Sequence, residues 1–290
     1  FLIHGVLAAG PGPALGIEIS TQCGNDRVQN RDARYLVHTA TFFEGEAVLL
    51  VDQRKDNEPG LLAYPFHDFM DNDGVTDQEI RINVECFIQD DEIVVDFEGS
   101  SPQVGGPINA TLGVTWSAAY NAILHLTDPS IPKNSGCFRP IHVLAPAGTV
   151  VNVDFPAPEV GGNTETHPRI AGAVIGALAP AAPERAFASE GATHLNFVFG
   201  GQDKANDEYF ACYDIEVVGW GATRHADGND ATDSINGNCR VTPVEVFETR
   251  YPWLTEEVSL IPDSGGAGAT RGGLGTRRIW TCLDAEITCS

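Results

Sequence analysis

The chain has 290 residues, 42% hydrophobic and 20% charged, an ordinary globular composition with length for one large core or two modest ones. Its 40 acidic against 17 basic residues give a formal net charge of -23, which leaves no positive field for phosphate backbones and excludes nucleic acid as a partner. Lys55, Lys133 and Lys204 are the only lysines; such an acidic surface suits concentrated salt, where screening relieves self-repulsion, the alternative being drift within a family.

No apolar run reaches the roughly 18 to 20 residues of a membrane helix, and Phe1 to Gly10 lacks the basic start of a secretory signal. A cytoplasmic protein without a membrane partner is expected. The seven cysteines form no C-x-x-C pair, so they read as small apolar residues in a reducing compartment.

Residues 1–60 carry a Gly-Pro cluster, Gly10 to Pro13, and one short apolar run, Ala47 to Val51; they are left unassigned. From Tyr64 the pattern sharpens. Asp71-Asn72-Asp73-Gly74 is a turn before the alternating segment Ile80 to Cys86, and the turn Gln89 to Glu92 leads to Ile93 to Phe97, so the two segments pair as an antiparallel hairpin. Trp116, Ala119, Tyr120, Ile123 and Leu124 recur at helical spacing within Thr115 to Leu126. Ile141 to Leu144 and Thr149 to Val153 look like short strands. A longer helix is predicted from about Pro168 to Ala179, with Gly172 and Gly176 as close-packing points against a sheet. Strands are expected at His194 to Phe199, Phe210 to Val218, Val258 to Ile261 and Arg277 to Trp280, with an irregular loop from Gly219 to Gly237. The predicted fold is α+β, mixed, with mostly antiparallel strands and a few packed helices.

The segment Gly161 to Arg169 is the richest in chemistry. Paired Gly161 and Gly162 allow close backbone approach, a helix start offers unpaired N–H groups and a positive dipole end, and Asn163, Glu165 and Arg169 add an amide, an acid and a fixed cation. There, Glu165 or His167 is placed to move a proton. The competing reading is a plain helix start capped by Thr164 or Thr166, with His167 in solvent.

Other constellations are weaker. The glycine-rich run Asp263 to Gly275 reads as tight turns closed by an Asp263–Arg271 ion pair, without a dinucleotide fingerprint. Asp227, Asp230 and Asp233 miss the calcium-loop spacing and read as a solvated acidic loop. The histidines show no zinc-binding spacing, and Cys137 has only His142 nearby as a candidate base.

The order of the motifs is more specific than any one of them. Phe69 to Gly74, Asp96 to Asn109, Gly136 to Ile141, Gly161 to Thr166, Thr242 to Glu245 and Pro262 to Gly268 together resemble the hydantoinase B/oxoprolinase family, over roughly Tyr64 to Cys289. The resemblance makes residues 61–290 a hydantoinase B-like C-terminal region, expected to be incomplete. It implies one component of an ATP-dependent hydrolase of small cyclic amides, of the hydantoin or 5-oxoproline type. A hydantoinase A-type partner would bind ATP and phosphorylate the ring carbonyl oxygen, so that water can attack an activated imidate. Ketone carboxylases contain related components; a noncatalytic fragment is the remaining alternative. The family's divalent metal ligands lie in an N-terminal half that residues 1–60 do not match, so ATP and the metal are expected in the assembled enzyme without a recognisable site in this chain. Under this resemblance Glu165, Arg139 and Arg169 are the candidate catalytic residues, and Asn109, Asn163, Gly161 and Gly162 the candidate substrate-binding ones.

Overall fold

The computed structural model describes residues 5–8, 16–20, 62–188, 191, 193–283 and 285–289, with side chains within 62–283. The run Ala47 to Val51 lies outside the described residues.

Alternation builds the first sheet. In β4 (Ile80–Gln89), Ile80, Ile82, Val84 and Cys86 fall on one face and are buried, as the twofold period of a strand requires. It pairs antiparallel with β3 (Leu62–Met70) and, through a tight turn with Asp90 at φ 53°, with β5 (Glu92–Asp96), the hairpin expected from sequence. A parallel strand, β6 (Ile141–Leu144), completes the order β3-β4-β5-β6.

Two helices cover this sheet. Thr111 caps α1 (Leu112–Leu126) by accepting from Val114 N. The buried stripe of α1 is Thr115, Ala118, Ala119, Ala122, Ile123 and Leu126. Trp116, expected on that stripe, is instead 43% exposed, because small residues let the neighbouring helix approach closely. That neighbour, reached through the short α2 (Ser135–Phe138), is α3 (His167–Leu178), which packs on β3, β4 and α1. A Cβ on Gly176 would stand 2.6 Å from the Phe66 ring of β3, the close helix–sheet contact expected of this glycine.

The second half holds β7 (Asn196–Asp203), β8 (Glu208–Ile215), α4 (Val244–Arg250), β9 (Trp253–Leu260), β10 (Thr276–Cys282) and β11 (Ala285–Cys289). With β1 (Gly5–Ala8) and β2 (Gly16–Ser20) they form two antiparallel sheets, ordered β1-β11-β7-β8 and β2-β10-β9. Phe197, Phe199, Cys212, Phe247, Trp253 and Trp280 fill the core of this half. The architecture is α+β with mostly antiparallel strands.

The structure corrects some local expectations. Residues 149–153 form no strand: Thr149 makes only isolated bridges to Pro102 and Asn152, and the Asn152 amide donates to Ala145 O to close the turn. The acids of the irregular loop do more than face solvent. Asp227 accepts from Arg271 N at 2.7 Å and Asp230 from Leu274 N at 2.6 Å, tying that loop to the glycine-rich turns, which Asp263 and Arg271 close at 2.8 Å.

Candidate functional site

The segment singled out from sequence is a single π-helical turn, Gly162–Thr166, running directly into α3. Its glycines meet protein backbone: Gly161 N donates to Pro107 O at 2.6 Å, and a Cβ on Gly162 would fall 2.2 Å from Asn109 O. Part of the N–H set at the helix start is used within the turn: His167 N–H bonds Gly162 O, Glu165 N–H bonds Gly161 O at 2.8 Å, and Pro168 has no N–H to offer. Threonine capping is not found, since Thr166 is buried and its hydroxyl donates to Ile108 O.

The turn presents Glu165 to a polar cluster contributed by distant segments. One carboxylate oxygen accepts the Thr193 hydroxyl at 2.5 Å and the other accepts Asn196 Nδ2 at 2.8 Å. Asn196 Oδ1 in turn accepts the Tyr213 hydroxyl at 2.6 Å, and Tyr213 is 60% exposed. Partial desolvation of the hydroxyl, with the carboxylates of Glu165, Asp233 and Asp214 nearby, pushes the Tyr213 phenol above its ordinary pKa and keeps it a donor. The result is a chain of donors running from a surface hydroxyl to a fixed carboxylate.

Behind this chain lies a histidine pair. His194 is buried, with Nδ1 3.1 Å from Asp233 and Nε2 2.7 Å from Asn236 Oδ1. His167, expected in solvent in the capped-helix alternative, is only 2% exposed, and its Nδ1 has no hydrogen-bond partner. Burial, reinforced by His194, drives its pKa down to about 4, so it is a neutral imidazole.

The other sequence candidates are placed as follows. Asn163 is exposed on the π-turn. Asn109 is fully buried: its amide donates to Val104 O, Gly106 O and Pro158 O and accepts from Val104 N, so it shapes the loop under the turn. Arg169 pairs with Asp68 of β3 at 3.1 Å. Arg139, exposed between α2 and β6, stands at the opposite edge of the same sheet and is not brought to Arg169. Cys137 donates to Asn134 O at 3.0 Å and has no base within hydrogen-bond reach. Asp73, in a motif read as a turn, accepts from Val75, Thr76 and Gly106 N–H groups; burial raises its carboxyl, yet these bonds outweigh that and lower its pKa. Sequence reasoning missed Thr193, His194, Asn196, Tyr213, Asp233 and Asn236, which carry no shared local spacing.

Among the described residues no group of three or more His, Cys, Asp or Glu is placed to hold a metal ion, and the glycine-rich turns pack on their own backbone, with a Cβ on Gly265 falling 2.1 Å from Gly272 O. Nor is any helix among them long and apolar enough to cross a membrane.

The family model for hydantoinase B/oxoprolinase matches residues 42–290. The chain is 32% identical, over 94% of its length and 46% of the relative's, to the B component of a putative D-/L-hydantoinase of Pseudomonas sp. (strain NS671). The crystal structure of ATP-dependent caprolactamase from Pseudomonas jessenii superposes with a TM-score of 0.70 at 31% identity, covering 90% of this chain and 44% of that one. Nucleotide-free acetone carboxylase shares the fold, with a TM-score of 0.68 at 22% identity over 80% of this chain and 33% of that one. The chain thus spans less than half the length of each of these proteins. By motif order, by fold and by the extent of the match, the chain belongs to the hydantoinase B/oxoprolinase family.

Proposed function

We propose that this chain is the B-type component of an ATP-dependent cyclic amide hydrolase, acting in the cytoplasm with a hydantoinase A-type partner on a small ring of the hydantoin or 5-oxoproline type. The observation that carries this reading is the similarity, at 31% identity, to a caprolactamase, an enzyme of cyclic amides, across 90% of the chain. ATP and a divalent metal would be held in the assembled enzyme, outside the described residues.

The local chemistry suits the π-turn to an auxiliary role in that reaction. Asn163 offers an exposed amide to a ring carbonyl, and Glu165 is a carboxylate fixed on both oxygens, suited to orienting polar groups. Arg169 and Arg139 are the cations to test, while Asn109, Gly161 and Gly162 shape the backbone beneath the ring-binding surface.

The fold shared with acetone carboxylase favours one second reading, an ATP-dependent ketone carboxylase component. The two are separated by co-expressing the chain with A-type partners and measuring ATP hydrolysis against hydantoin, 5-oxoproline and acetone, with and without bicarbonate. Ring opening independent of bicarbonate is expected, with neither ATP nor hydantoin hydrolysed by the chain alone. ATP hydrolysis dependent on ketone and bicarbonate would replace the first reading with the second. Failure to associate with any A-type partner would leave a noncatalytic chain.

A further inference from the structure

The hydrogen bonds of the His194 ring run through Asn236 to the π-turn. Asn236 Nδ2 donates to the backbone carbonyl of Asn163 at 2.7 Å, and a carbonyl only accepts, so the orientation of this amide is fixed. Its Oδ1 therefore faces His194 Nε2, at 2.7 Å, and Nε2 must be a donor. On the other side, Nδ1 faces Asp233 Oδ1 at 3.1 Å. That carboxylate also accepts backbone N–H groups from Ser234 at 2.8 Å and Cys239 at 2.7 Å, surroundings made only of donors.

We infer that His194 is the positioning residue of the π-turn that carries Glu165. Its backbone N–H holds Thr164 O at 3.2 Å while its ring holds Asn236, which holds Asn163 O, so two successive carbonyls of the turn are gripped from one histidine. The far side of the clamp is anchored. Asn121 on α1 donates to Ile235 O at 3.0 Å, and the Trp220 indole donates to Asp233 O at 2.7 Å. Gly237 is required for this packing, because a Cβ there would lie 2.1 Å from Asp233 Oδ2 and 2.6 Å from His194 Cε1. The titratable groups around the ring are Asp233, whose Oδ1 lies 3.1 Å from Nδ1, and the buried, neutral His167. The positioning role rests on the reading of Glu165 as part of the site proposed above; the hydrogen bonds of the clamp do not.

Two measurements test the inference. In ¹⁵N-labelled protein, Nε2 of His194 should show a directly bonded proton, assigned by its loss in His194→Gln. A bare Nε2 would overturn the proposal. In the assembled enzyme, Asn236→Ala and Asn236→Asp should both lower kcat by on the order of ten- to a hundredfold, with KM within about twofold and the thermal midpoint little changed. Asn236→Asp is the discriminating variant: it still accepts from His194 Nε2 but cannot donate to Asn163 O. Wild-type kcat in Asn236→Asp would show that the clamp stabilises the fold without positioning the turn, and would overturn that role. A wild-type complex that opens no ring would instead remove the proposed function, leaving the nitrogen spectrum to decide whether His194 Nε2 holds Asn236.

Discussion

The guanidinium of Arg169 meets the carboxylate of Asp68 at 3.1 Å, joining α3 to β3 with the two side chains 29% and 27% exposed. A single part-buried pair of this kind contributes modestly to stability, so a double-mutant cycle on Asp68 and Arg169 should give a coupling of about 1 kcal/mol. Its weight should show in turnover instead. Arg169→Lys keeps the charge but loses the planar fork, and in the assembled enzyme it should fall well below Cys137→Ser, as should Arg139→Lys. Equal turnover in the three variants would take both arginines out of the site.

Asn109 is a structural prediction of a different size. Its buried amide meets three carbonyls and one N–H, at 2.9, 3.1, 2.9 and 2.8 Å. Asn109→Ala should lower the unfolding free energy by on the order of 3 kcal/mol, seen as a shift in the urea midpoint with an unchanged slope. Asn109→Asp should be worse, because a carboxylate would face those carbonyls. A midpoint that moves less for the aspartate would show that this network has been misread.

What could be read in the sequence was what short segments determine. The β4–β5 hairpin follows from alternation, and α3 follows from Pro168 and the spacing of Ile170, Ala173, Val174 and Ala177, all of which are buried. Even Gly161 and Gly162 signalled close approach, although what approaches is the Pro107–Ala110 backbone. The polar cluster was illegible for a physical reason. Glu165 meets groups 28 and 31 residues away, and Asn236 meets Asn163 across 73, so side chains on separate loops converge only when the sheets dock. No periodicity records such a meeting.

At Gly176 two effects compete. Alanine is the better helix former by about 1 kcal/mol. Its Cβ would nevertheless press within 2.6 to 2.9 Å of three ring carbons of Phe66, and the ring has to move. Overpacking of this kind costs about 1 to 3 kcal/mol, so Gly176→Ala should lower the thermal midpoint and Phe66→Leu should partly restore it. A more stable Gly176→Ala would show that the contact is slack.

His167 predicts a pH dependence. Its folded pKa is depressed from 6.5 to about 4, so between those values the unfolded chain binds a proton that the folded chain refuses. Its contribution is present above pH 6.5 and is lost as the pH falls toward 4, on the order of 3 kcal/mol over the interval. His167→Leu should therefore flatten the slope of unfolding free energy across this window, whatever it does to stability at neutral pH. An unchanged slope, or a His167 ring that titrates by NMR near 6.5, would sink the assignment.

The buried charges of the second half give the largest expected effect. Arg278 on β10 is 1% exposed, bonds Glu216 at 3.1 Å and Asp214 at 3.4 Å, and stacks over Trp280 at 4.6 Å and Phe197 at 5.7 Å. One cation thus answers two carboxylates, and burial pushes the Glu216 carboxyl up against the opposing pull of Arg278. Arg278→Met would strand both carboxylates in the core and should cost about 3 to 5 kcal/mol at neutral pH. Because the folded pKa of Glu216 is raised, its ionisation costs stability as pH rises, so Glu216→Gln should be far better tolerated. For the same reason the defect of Arg278→Met should shrink as the pH is lowered and the stranded acids take up protons. Urea midpoints of the wild type and both variants at pH 7 and pH 5 check this; a defect that grows on acidification would mean that the arginine acts through its stacking on Trp280 and Phe197, with its charge incidental.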